Sequence, residues 1–261
     1  MSYTLLGLLM IGGLALYALV GVSVSRKILH GKVQEGHNDV CVPIFLNAGV
    51  LFAVLLGFMV IAVWEAYDAA KTTAATEAAA LVPLYRAAGN LPKNGAEKIR
   101  DYTREYVHAV IEDEWPRQTK GEPGSSKARH EIGNLFRAFG DGTIDVQTKK
   151  DFPMTCTAVM QHITEVTSDR NKRIIQANES LPPMMWIAIV GGSIIIITLS
   201  CVIYMERPVP HQIMASLMAA LIGLLLFSCY VLSHPFRGPI AISSEAFEKT
   251  ITVLDDVDQG N

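Results

Sequence analysis

The sequence predicts an all-α membrane protein with four transmembrane helices in two pairs and a helical extramembrane domain between the second and third. Three observations carry that prediction. Four stretches, from Met1 to Ser25, Val40 to Trp64, Ser180 to Met205 and Pro208 to Phe236, contain no Asp, Glu, Lys or Arg. Each runs for roughly 25 residues, enough to cross a ~30 Å hydrocarbon core as a helix. The composition is that of a membrane chain, with 50% hydrophobic and 18% charged residues, where soluble domains carry about 25% charged residues. No segment alternates apolar and polar residues cleanly over a strand's length. The charges collect between the second and third spans, so that segment reads as a solvated helical domain of near-neutral balance.

The first transmembrane helix is expected over 1–25. It lacks a positively charged leader and is followed at once by Arg26 and Lys27, which marks a retained membrane helix rather than a cleaved signal peptide. A short loop, 26–39, holds Arg26, Lys27 and Lys32, and a second, 206–210, holds Arg207. Positive flanks stay cytoplasmic, so the count leans towards loops inside, with the termini and central domain outside. Arg170, Lys172, Arg173 and Arg237 flank the other face and count against it.

The second transmembrane helix, 40–66, is the distinctive one. Gly49, Ala53 and Gly57 recur every fourth position, on one helix face that lets another backbone approach closely. One position round, Val50, Val54 and Phe58 form a bulky apolar row, which reads as a lipid-facing or core ridge. Asn47 is the only amide within the span. An unpaired amide in hydrocarbon costs free energy, so it should face another helix or a wet cavity. From Trp64 the chain continues to Ala80 without Gly or Pro, so the helix should run on into solvent. It should kink at Pro83 and end at Gly89-Asn90 before Pro92.

Within the soluble domain, 67–180, Leu81, Leu84, Tyr85 and Ala88 make an apolar stripe at helical spacing. A second helix is expected from about Ala96 to Trp115, with Ile99, Tyr102, Tyr106 and Val110 on one face and Pro116 as its stop. Gly121, Pro123, Gly124 and Ser125 mark a linker between Thr119 and Lys127. A short helix bearing Ile132, Leu135, Phe136 and Phe139 precedes a turn at Gly140-Asp141-Gly142. The last soluble helix should run from about Val146 past Ile175 and bury Phe152, Cys156, Met160, Ile163 and Val166. Pro153 offers a division near its start.

Transmembrane helices 3 and 4, at 181–205 and 211–236, offer Gly191, Gly192, Ser193, Ser216 and Gly223 for contact between helices. In the amphipathic tail, 237–261, Ser243 to Glu245 looks like a helix start, with Phe247, Ile251 and Leu254 on one face. That face docks on the soluble domain or at the membrane surface. The acidic residues Asp255, Asp256 and Asp258 are expected to fray.

The residues point to no catalysis. GxxxxGK[ST], GxSxG, HExxH and GxGxxG are all absent, which removes the usual nucleotide, hydrolase and metalloprotease signatures. No enzyme activity and no cofactor are expected. His108 with Glu112, and His162 with Glu165, lack a third ligand at a recognisable spacing, so no metal site is expected. Glu112, Asp113 and Glu114 read as a solvated acidic run. The segment from Asp141 to Asp145 reads as a turn, since it lacks the alternating oxygen ligands of a calcium loop. Cys41, Cys201 and Cys229 fall in or beside the spans and Cys156 stands alone in the soluble part, so no disulfide framework is supported. With 22 Lys and Arg against 25 Asp and Glu and no basic patch, nucleic acid is not a partner. The lipid bilayer is.

Several segments together resemble one family. They are His37-Asn38-Asp39-Val40, Phe52 to Phe58, Trp64 to Tyr67, Glu77-Ala78, Leu84-Tyr85-Arg86, Glu114-Trp115-Pro116, Leu181-Pro182-Pro183 with Trp186, and His234-Pro235-Phe236 with Gly238 and Phe247. As a set they are similar to the bacterial bestrophin-like membrane family, a domain family of unknown function distantly similar to bestrophin anion channels. The resemblance covers almost the full length. It implies a homo-oligomer, a pentamer if bestrophin-like, with a pore lined by the second membrane segment. The bestrophin Phe-x-x-Gly-Phe pattern falls on Val54 to Phe58, where Gly57 and Phe58 are kept and Val54 replaces the other aromatic. On that matching Val50, Val54 and Phe58 would line the neck. Two features depart from the pattern. No acidic cluster follows the fourth span, where Ser233 to Arg237 stand, and bestrophins keep the helical domain cytoplasmic, opposite to the charge count.

The expectation is therefore an integral protein of a bacterial inner membrane, an oligomeric ion channel passing an inorganic anion through an apolar neck. The alternative is a non-conducting envelope membrane protein whose helical domain binds a partner or senses a ligand.

Overall fold

The structure, a computed structural model, describes residues 2–29, 36–122, 124–179 and 181–260. Met1, Lys32, Pro123 and Ser180, each part of an expectation above, lie outside the described residues. Among the described residues every regular element is helical: α1 (Tyr3–Leu29), α2 (His37–Ala88), α3 (Lys93–Ala109), α4 (Trp115–Lys120), α5 (Ser126–Arg137), α6 (Val146–Asp151), α7 (Pro153–Asn178), α8 (Pro183–Val202), α9 (Pro208–Leu232) and α10 (Glu245–Asp258). A π-helical turn, Val110–Glu114, joins α3 to α4. The windows long and apolar enough to cross a bilayer fall in α1, α2, α8 and α9, two before the helical segment and two after it. The chain divides into two compact units, 1–65 with 180–233 and 66–179 with 234–261.

In the first unit α1 lies along α9, and small residues set how closely. A Cβ on Gly223 would stand 2.9 Å from the Ile11 Cα, and one on Gly7 would stand 3.1 Å from the Phe227 ring. Polar groups stitch the same seam: the Ser216 hydroxyl donates to the Ala15 carbonyl at 3.2 Å and the Gln212 amide to the Ser23 hydroxyl at 3.0 Å. Gly192 of α8 receives the Phe52 ring of α2, where a Cβ would lie 2.9 Å away. The apolar interior is filled by Ala18, Val22, Leu56, Met59, Val63, Ile197 and Leu226.

The α8–α9 connection is held from outside. Arg26 donates to the Met205 carbonyl at 2.7 Å and to the Glu206 carbonyl at 3.2 Å. Asn38 and Tyr204 exchange two hydrogen bonds, at 2.8 and 2.9 Å, and the His37 imidazole donates to the Val202 carbonyl at 3.1 Å. The Val202 carbonyl is one that the end of α8 leaves without an intrahelical donor, and the others belong to the connection itself.

The second unit is built on Leu81, Leu84, Ile99, Tyr106, Leu135, Ile163, Phe236 and Phe247. Helix α2 continues through Pro83 to Ala88, with Leu81 and Leu84 buried on either side of it. Three expectations are corrected here. Pro116 does not stop the second soluble helix, which passes through the π turn into α4. A proline in the first turn of α4 costs little, since that turn has no use for its missing N–H. Phe152 is 40% exposed rather than buried, because Pro153 ends α6 and begins α7 at that point. The acidic tail does not fray: α10 runs to Asp258, and Arg104 donates to Asp255 and Asp258 at 2.7 Å each while the Tyr85 hydroxyl donates to Asp258 at 2.6 Å. Its face bearing Phe247 and Leu254 is buried in this unit.

Candidate functional site

The membrane portion of α2 has two opposite faces. At 100° per residue, Phe52, Leu56, Met59 and Val63 share one side, and the last three are buried. On the opposite side lie Asn47, Val50, Val54, Phe58 and Ile61. Val50 is 64% exposed, Val54 53% and Phe58 67%, so the row is not a core ridge of this chain. The reason is packing: α8 meets α2 away from that row, where Gly192 receives the Phe52 ring and Ile196 comes beside Gly49.

The small-residue stripe lies between the two faces. Gly49 is half-buried, with Ile196 at ordinary contact distance, 3.8 Å, from a Cβ placed on it. Ala53 and Gly57 are exposed, and a Cβ on Gly57 would meet nothing within 4 Å. The stripe therefore keeps a shallow, open track beside the bulky row. Asn47 is exposed and its amide donates to the Pro43 carbonyl one turn back at 2.9 Å. Within one chain its hydrogen bond goes to its own backbone, and the residue lies on the same exposed face as Val50, Val54 and Phe58.

Chemically, this face has no charge from Val40 to Trp64. Apart from the Asn47 amide it offers apolar surface, to lipid or to another copy of itself.

A second set of polar residues, in the helical unit, escaped the sequence reading. Arg173 is fully buried and donates to both Glu77 oxygens at 2.6 and 2.9 Å, to Glu114 at 2.7 Å and to Gln118 at 2.9 Å. Arg170 donates to the other Glu114 oxygen at 2.5 Å, and the Tyr106 hydroxyl to Glu77 at 2.5 Å. The Arg173 guanidinium also lies 5.0 Å from the Trp115 ring centroid. The acidic run is thus not solvated as a whole. Glu114, four residues after the buried Val110, has no exposure, while the neighbouring Asp113 takes the Ser125 hydroxyl. Burial pushes the Glu114 carboxyl up, but the charges of Arg173 and Arg170 outweigh it and hold the group below the ordinary glutamate value. Burial, then Glu77, pushes the Tyr106 phenol well above its ordinary value. One signal for this cluster was available: Ile163, Val166, Arg170 and Arg173 share the spacing of a buried face on α7.

The two histidine pairs stay on the surface. His108 lies 3.5 Å from Glu112 and His162 lies 3.0 Å from Glu165. Among the described residues no three His, Cys, Asp or Glu side chains converge as a metal set.

A family model described as a bestrophin-like domain matches residues 12–247. No curated protein matches. Among solved structures, a variant of a bacterial bestrophin homolog from Klebsiella pneumoniae superposes with a TM-score of 0.66 at 13% identity, covering 97% of this chain and 98% of that one. A second variant gives 0.62 at 12% identity over 94% and 98%, and the homolog solved by zinc phasing gives 0.59 at 13% over 94% and 97%. At such identities the likeness is one of fold.

Proposed function

This chain belongs to the bestrophin-like domain family, and from that premise we propose that it forms an oligomeric ion channel in a bacterial inner membrane. Val50, Val54 and Phe58 line its neck and an inorganic anion is the permeant species. The observation that carries the reading is the face of α2 opposite its packed side, which stays exposed and uncharged along the membrane portion of the helix. Copies of α2 turned inward round an axis would make an apolar constriction, which passes ions when wet and stops them when it dewets. Gly49, Ala53 and Gly57 would then lie where neighbouring copies approach, the arrangement for which small residues serve in membranes.

Two rules bear on sidedness. The Lys and Arg of the short loops favour those loops inside, and Arg170 and Arg173, spent in buried ion pairs, no longer count against them. The resemblance to bestrophins favours the helical unit inside. Labelling a Lys98→Cys variant in intact cells with a membrane-impermeant maleimide decides between them. The oligomer itself is tested by chemical crosslinking and mass measurement of the detergent-solubilised particle. A ring of several copies is expected, and a monomer or dimer contradicts a pore of this kind.

A further inference from the structure

Asn47 is the one residue from Val40 to Val63 whose side chain carries a nitrogen or oxygen atom, and it stands on the exposed row of α2. Viewed down the helix it lies within about 60° of Val50, Val54 and Phe58. Along the axis it precedes them by ~4.5, ~10.5 and ~16.5 Å at 1.5 Å per residue. An ion that follows this row from the N-terminal end of α2 meets one hydrogen-bonding side chain and then only apolar ones.

That amide is half used. A primary amide has two N–H donors and a carbonyl acceptor. One N–H reaches the Pro43 carbonyl at 2.9 Å, and the other N–H and Oδ1 have no partner among the described residues. Turned to lipid, both groups would lie unpaired in hydrocarbon, at a cost in free energy. Turned to a wet path, they are solvated and open to an ion. No charge on α2 competes with them at this level. The nearest charged residues on the helix are Asp39 and Glu65. They stand ~12 and ~27 Å away along the axis, further than the ~8 Å over which exposed charges act on one another at physiological salt.

On the reading that Val50, Val54 and Phe58 line a pore, we infer that Asn47 sets which anions enter it. Its free N–H takes the place of a water that the ion gives up before it meets the apolar row. Chloride, small and strongly hydrated, loses most on leaving water and gains most from the amide. Thiocyanate, large and weakly hydrated, crosses an apolar constriction with less help. One neutral hydrogen bond of this kind is worth about fivefold in equilibrium.

The test is planar-bilayer recording of the full chain with chloride on one side and thiocyanate on the other, and then in a potassium chloride gradient. Asn47→Leu keeps the bulk and removes the amide, so the thiocyanate-to-chloride permeability ratio should rise about fivefold. Asn47→Asp keeps the shape and sets a carboxylate in the path, so the reversal potential in the gradient should move towards that of potassium. A wild type that conducts, with both readings unmoved by the two substitutions, overturns the role of Asn47 and leaves the neck standing. A wild type that passes no current overturns both. A change in the number of copies per particle on Asn47→Leu also overturns the assignment, since the amide would then join neighbouring copies instead of meeting the ion.

Discussion

At Arg173 a guanidinium with no solvent exposure lies between two carboxylates. Removing such charges from water is costly, and their attraction offsets the cost only while every partner is in place. Replacing Arg173 with Met leaves Glu77 with only the Tyr106 hydroxyl and one side of Glu114 bare, so unfolding free energy should fall by about 3–5 kcal/mol, measured by denaturant titration in detergent. Glu114 adds a pH dependence. Its carboxyl is held below the ordinary value, so the stability it lends is complete above the unfolded glutamate pKa of ~4.3 and is lost as pH falls through the lower native value. Melting temperature plotted against pH should be steeper for the wild type than for Glu114→Gln between about pH 5 and pH 3. Spacing signalled the burial of Arg170 and Arg173, and Glu114 stands four residues after the buried Val110. The pairing was not legible, because Glu77, Glu114 and Arg173 are far apart along the chain and spacing names a buried face without naming its partner.

Helices were legible where one period holds from end to end. The buried stripes of α2, α3 and α5 at Leu81, Leu84, Ile99, Ile132 and Leu135 follow directly from spacing. What spacing missed are events at ends and junctions. The sequence alone left the docking place of α10 open; the structure packs its Phe247 5.4 Å from the Trp115 ring and hydrogen-bonds the Trp115 indole to the Ile242 carbonyl at 3.0 Å. Phe247→Ala should therefore cost about 3–5 kcal/mol in the same unfolding measurement. Gly121 closes α4 at φ 79°, and a Cβ there would lie 2.4 Å from the Arg237 guanidinium carbon. Gly121→Ala should destabilise by about 1–2 kcal/mol, since a residue with a Cβ is strained in the left-handed region, while the Arg237 guanidinium, at the end of a flexible side chain, can move aside.

On the scale of the molecule, the four membrane helices and the helical segment between them were legible because freedom from charge over a membrane's thickness is a property of length, needing no knowledge of contacts. The role of the second helix was only half legible. Sequence shows that Val50, Val54 and Phe58 share a face, but which face of a uniformly apolar helix meets its own chain depends on residues more than a hundred positions away, such as Ile189 and Ile196. With that face left open by the fold, the central claim is that it lines an ion path. Planar-bilayer recording of the purified protein, wild type beside Phe58→Ala, tests this most directly. A channel with this neck conducts in the wild type and conducts more when the Phe58 side chain is cut back; silence from both proteins would contradict an ion path there.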